Sequence, residues 1–117
     1  MIRRQNRHIV VQRSKLIHIG SGTGMNLQDP SAPVEIMIPS TPITLFNCAT
    51  ELVFSSIFSK FPALKIALSE GGIGWIPYFL ERIDYVYTHH HRWTGQDFGS
   101  RLPSDVFREQ VVTCFID

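Results

Sequence analysis

The sequence predicts an α/β protein built on a parallel sheet, and three observations carry that prediction. Short apolar runs recur near 15–19, 64–69 and 111–117 of the 117 residues. Between them, near 42–60 and 74–89, apolar residues recur three and four positions apart, the spacing of one helix face. The first two runs pass directly into glycine-rich turns, Gly20-Ser21-Gly22-Thr23-Gly24 and Gly71-Gly72. Strands alternating with helices imply parallel pairing with crossover connections.

Taken in order, Ile9-Val10-Val11 and Leu16-Ile17-His18-Ile19 are the first apolar runs, and the second is β-rich. Three glycines in five residues follow it, which makes a loop, so His18 is expected near the carboxyl end of a strand. Residues 25–42 hold Pro30, Pro33, Pro39 and Pro42 and cannot form one regular element. A connection of that length in a compact domain is usually functional. Thr41-Pro42 suits a helix start, and Ala49, Leu52, Val53, Ile57 and Phe61 continue a helical stripe. Phe61-Pro62 ends it, because the residue before proline avoids helical backbone angles.

Leu64-Lys65-Ile66-Ala67-Leu68 has the length of a buried strand and runs into Ser69-Glu70-Gly71-Gly72. A helix is expected from about Gly74, with Pro77 in its first turn and Ile76, Phe79, Leu80, Ile83, Val86 and Tyr87 as its apolar stripe. A short helix over 103–110 and a last strand over 111–117 complete the chain. A parallel sheet needs cover on both faces. Three strands and two good helices supply little of it, so the chain reads as a piece of a larger α/β fold.

Length allows one ordinary domain, divided here into a basic segment over 1–14 and a domain over 15–117. The net charge of +1 gives no reason to expect nucleic acid. Arg3, Arg4, Arg7, Arg13 and Lys15 precede the first acid, Asp29. That start lacks a clear apolar face and is poor in serine, so a solvated terminus is the better reading than a transit peptide. No membrane span is expected, since the longest uncharged stretch, 36–50, is broken by Pro39 and Pro42. Without an apolar leader core, a cytoplasmic location is expected, with Cys48 and Cys114 as buried, reduced thiols.

Glu70 is the first candidate site residue, because α/β folds place their chemistry at the carboxyl ends of strands. A helix-start acid favoured by the dipole is the competing reading. Gly71-Gly72 lacks the spacing of a phosphate-binding fingerprint. His89-His90-His91 cannot share one ion on a regular helix, where consecutive residues point about 100° apart, so a solvated helix end is expected. Trp75, Tyr78, Phe79 and Trp93 are expected to pack, as no basic groove accompanies them.

His18-Ile19-Gly20-Ser21-Gly22, Phe61-Pro62-Ala63-Leu64-Lys65, the run Ser69-Glu70-Gly71-Gly72-Ile73-Gly74-Trp75-Ile76-Pro77, and Cys114-Phe115-Ile116-Asp117 together resemble the amidohydrolase-related family. That family comprises metal-dependent TIM-barrel hydrolases and decarboxylases, including aminocarboxymuconate-semialdehyde decarboxylase. The resemblance runs from about Leu16 to Asp117 and implies a partial (β/α) barrel covering about strands five to seven. It implies that His18 is a metal ligand and Glu70 a catalytic residue, at a position where many members carry histidine. It implies a divalent metal, zinc by preference, and a small carboxylated or cyclic substrate. The His-x-His pair of strand one and the aspartate of strand eight have no counterpart here, and Asp117 matches strand seven instead. A catalytic zinc takes about three protein ligands. The chain is therefore expected to be inactive alone, and either to self-associate or to complete its site with another chain.

Overall fold

The computed structural model describes residues 9–11, 16–20, 31 and 33–115. Its sheet has four strands in the order β1-β2-β3-β4: β1 Ile9–Val11, β2 Leu16–Gly20, β3 Lys65–Ser69 and β4 Val111–Thr113. β2, β3 and β4 run parallel, with Leu16 beside Lys65, Gly20 beside Ser69 and Ile66 beside Val111. The expected parallel sheet is therefore present, and residues 116 and 117 of the expected last strand lie outside the described residues. β1 was not expected as a strand. It pairs antiparallel with β2, Val10 opposite His18, so part of the basic segment belongs to the sheet.

The proline-rich connection contains a four-residue helix, α1 (Val34–Met37), and a 3-10 turn over Ile38–Ser40. The expected helix near 42–60 is two pieces, α2 (Thr41–Phe54) and α3 (Ile57–Lys60). The interruption is local chemistry. Ser55 is extended (φ −82°, ψ 165°). Its Oγ donates to Leu52 O at 2.8 Å and accepts from the Ile57 N–H at 3.3 Å, a serine competing with the backbone ladder. α4 (Ile76–Thr94) starts two residues later than expected and runs five residues longer. It stops where Gly95 takes the left-handed conformation (φ 74°) and its N–H reaches His91 O at 3.1 Å. α5 (Pro103–Gln110) forms as expected, with the Leu102 N–H donating to Asp105 Oδ2 at 3.0 Å and the Ser104 N–H to Asp84 Oδ1 of α4 at 2.9 Å.

Alternation along β3 gives the sheet two faces. Ile66 and Leu68 pack with Leu45, Ala49 and Val53 of α2, Phe79 and Ile83 of α4, and Val106 and Phe107 of α5. Phe79 is fully buried, with Phe46, Trp75 and Phe107 rings at 5.1, 5.4 and 5.1 Å in edge-on or tilted arrangements. The opposite face carries exposed Lys65 and Val112. Of the four aromatic residues expected to pack, Trp75 and Phe79 do. Tyr78 (63% exposed) and Trp93 (75% exposed) lie on the outer side of α4, because the stripe through Phe79 and Ile83 already supplies its buried face.

Candidate functional site

Because β2, β3 and β4 are parallel and in register, their carboxyl ends open at one edge of the sheet. Glu70 stands there, immediately after β3, exposed and in the left-handed region (φ 65°). It is the non-glycine residue with positive φ among those described. That conformation costs a residue with a side chain roughly 1–2 kcal/mol. Residues held so concentrate at functional sites, where surrounding contacts outweigh the strain.

Those contacts are identifiable. The Glu70 N–H donates to Cys114 Sγ at 3.3 Å, across from the end of β4. Behind it, a Cβ at Gly71 would stand 1.9 Å from Leu45 Cδ1, so α2 can reach this turn because position 71 has no side chain. Gly72 also has positive φ (62°). The Trp75 indole N–H is shared between Gly71 O (3.2 Å) and Gly72 O (3.1 Å), clamping the turn to the first turn of α4. The two glycines thus have a packing and conformational reason to be here.

Cys114 is the residue that sequence reasoning placed wrongly. It was expected to be buried; Cys48 is, at 3% exposure, but Cys114 is exposed beside Glu70. The signal was present, since the Thr113-Cys114 step ends a strand just as the Ser69-Glu70 step does. A short terminal strand sandwiches its thiol only where a further element covers that face.

His18 lies on β2 aligned with Ala67. Glu70 is three residues beyond Ala67, which sets the two positions ~10 Å apart along the strand direction. The His18 side chain and Asp117 lie outside the described residues. Among those described, no group of three His, Cys, Asp or Glu side chains could hold a metal ion. The donors on view, Glu70 and Cys114, do not amount to a zinc site, which takes about three ligands. The histidine run is on α4. The Nδ1–H groups of His89 and His91 donate to Tyr85 O (2.8 Å) and Tyr87 O (2.9 Å), and His90 Nδ1 accepts from the Trp93 indole N–H at 3.2 Å.

A cleft of about 410 Å³ opens at the other end of the sheet, before β3 and β4 begin. Phe54, Phe58, Phe98 and Val106 line its apolar side, and Gln96, Asp97, Arg101 and Glu109 its polar rim. Arg101 and Glu109 form an ion pair there. The cleft and Glu70 are thus at opposite ends of the strands. Among the described residues, no helix is long and apolar enough to cross a membrane.

No protein-family model matches the chain, and no curated protein matches it. Among solved structures it is similar to the 5-carboxyvanillate decarboxylase of Sphingomonas paucimobilis, with 28% identity and a TM-score of 0.51 over 62% of this chain. The match spans 22% of that decarboxylase chain. The mixed α/β fold with its parallel strands is consistent with part of a TIM-like barrel.

Proposed function

We propose that this chain carries part of the active site of an amidohydrolase-related barrel enzyme, and that the reaction is non-oxidative decarboxylation of a small aromatic or cyclic carboxylate. The observation that carries this reading is the 28% identity to a decarboxylase, together with a strained carboxylate at the carboxyl end of a central parallel strand. Hydrolysis within the same family is the less favoured chemistry, because the similar structure belongs to a decarboxylase.

Glu70 is the proton-transfer group in this proposal. Loss of carbon dioxide leaves the electron pair of the broken C–C bond on the ring carbon, and a proton must reach that carbon. A positioned carboxyl group supplies it by general acid catalysis. His18 is the proposed ligand for a divalent metal, zinc by preference, which would polarise the substrate when bound. The described residues do not complete such a centre. The remaining donors come, in this reading, from residues matching the rest of the decarboxylase, in a longer protein or in a separate chain.

The test measures carbon dioxide release from 5-carboxyvanillate with added Zn²⁺, for this chain alone and for the chain co-expressed with the missing barrel strands. The expected result is no turnover alone and turnover on complementation that is lost in Glu70→Gln and His18→Ala. Turnover by the chain alone that disappears in His18→Ala would overturn the incomplete site. Complemented activity indifferent to Glu70→Gln would overturn its role.

A second reading has its own observation. Val112 is 53% exposed on the sheet face away from the helices, and Phe115 just beyond β4 is 76% exposed. Apolar surface of that kind favours self-association without catalysis. Size-exclusion chromatography separates the readings, since a monomer that melts cooperatively at all concentrations argues against the second.

A further inference from the structure

The two edges of the sheet are treated differently. β4 has β3 as its one strand neighbour among the described residues, so its outer edge is open. The equivalent edge of β2 is occupied by β1, which lies antiparallel across Ile17, His18 and Ile19. β2 is otherwise parallel to its neighbour over five residue pairs. A barrel of parallel strands continues at that edge with another parallel strand. The chain fills it instead with three residues of its own, in the wrong direction for a barrel.

We infer that β1 is a removable guard on the β2 edge, and that the strand it keeps out is β4 of a second copy. This chain carries both halves of such a contact. β4 ends one sheet with parallel pairing, and β2 starts it. Placing β4 of one copy on the uncovered β2 of the next continues the parallel sheet without reversing direction. The contact is head-to-tail, so it propagates from copy to copy unless the rotation closes a ring. An unguarded edge is the feature that folded proteins blunt to avoid such pairing. A three-residue antiparallel ladder is short enough to be displaced, whereas the five-pair β2–β3 ladder between crossovers is not. The inference deepens the self-association reading and is independent of the catalytic one.

The test uses the full chain and two variants, Val10→Pro and Val11→Pro. Neighbouring residues of a strand point their N–H groups in opposite directions, so one of the two prolines removes a donor facing β2 and the other removes one facing away. Alternate amides of Leu16–Gly20 face β1 and β3. Amide hydrogen exchange by NMR is expected to show both sets protected in the parent. In one proline variant alone, the β1-facing set should exchange about tenfold faster, the loss of roughly one net hydrogen bond. The β3-facing set and Ile66 and Leu68 remain protected, which shows that the variant is folded.

The same variant should rise above the 13.3 kDa single-chain mass with increasing concentration, and adding Val112→Lys on β4 should return it to one chain. If neither proline changes exchange in β2, β1 is not a cap. If the edge is exposed and the mass stays that of one chain, β1 guards nothing. If Val112→Lys leaves the assembly intact, β4 is not the strand that adds. None of these measurements involves turnover or metal, so their failure is distinct from failure of the decarboxylase reading.

Discussion

The two ends of β3 are built on opposite principles. At its amino end the backbone is tied down. The buried Gln110 side chain donates to Phe61 O (3.3 Å) and Leu64 O (3.2 Å), the last residue of α5 thereby holding the loop that starts β3. Lys65 Nζ donates to Glu109 O beside it. At its carboxyl end the chain makes a left-handed step at Glu70, turns through Gly71 and Gly72, and leaves a carboxylate and a thiol in solvent. In α/β barrels the amino-terminal face serves stability and the carboxyl-terminal face serves chemistry. The same division is written here in hydrogen bonds and backbone angles. What it teaches is that a cleft is not by itself a site. The 410 Å³ cleft lies at the tied end, where side chains already satisfy one another.

The comparison breaks first at what both ends share. Phe79 is fully buried under β3 and touches Phe46, Trp75 and Phe107. Phe79→Ala should cost about 3–5 kcal/mol, from lost transfer energy and the cavity left behind. Chemical denaturation should show a lower midpoint. A cost below about 1 kcal/mol would mean that α4 is not the element that covers the sheet.

The next two substitutions probe the ends separately. Gly71→Ala drives a methyl group into Leu45, itself 1% exposed, and should cost about 1–3 kcal/mol by overpacking. Gln110→Ala withdraws the amide from two carbonyls at the amino end and should cost about 1–3 kcal/mol. The two sites share no partner, so the double variant should lose the sum of the single losses within about 0.5 kcal/mol. A large departure from additivity, read from denaturation of all four proteins, would mean that the two ends are one unit.

Most of this arrangement was legible in the sequence, for physical reasons that also explain the exceptions. β3 and α4 were clear because a five-residue apolar run and a 3.6-period stripe are strong signals, and Gly71-Gly72 marked the turn between them. The break at Ser55 was hidden, since a serine that bonds Leu52 O in a structure is indistinguishable, as a letter, from one that does not. β1 was hidden because three residues carry no periodicity. Glu70 was legible as a position, from the rule that chemistry sits where parallel strands end. Its left-handed backbone was not, because a carboxylate before two glycines gives the glycines, not itself, as the expected positive-φ residues. Cys114 was misplaced for a related reason: burial of a thiol was judged from residue type, whereas register decides it.

The smallest expected effect distinguishes a strained functional residue from an incidental one. Glu70→Gly removes the Cβ that makes φ 65° costly. It also gives the unfolded chain more freedom, which offsets part of that relief. The net expectation is a gain of roughly 0.5–1 kcal/mol, set by the roughly 1–2 kcal/mol of left-handed strain less the added backbone entropy. Glu70→Ala keeps the Cβ and the strain, and should leave stability within about 0.5 kcal/mol of the parent. Both variants lose the carboxylate equally. Denaturation should therefore separate Gly from Ala while decarboxylation by the complemented protein falls in both. If Glu70→Ala and Glu70→Gly are equally stable, the turn carries no strain at this residue, and the carboxyl end of β3 loses the feature that sets it apart from the amino end.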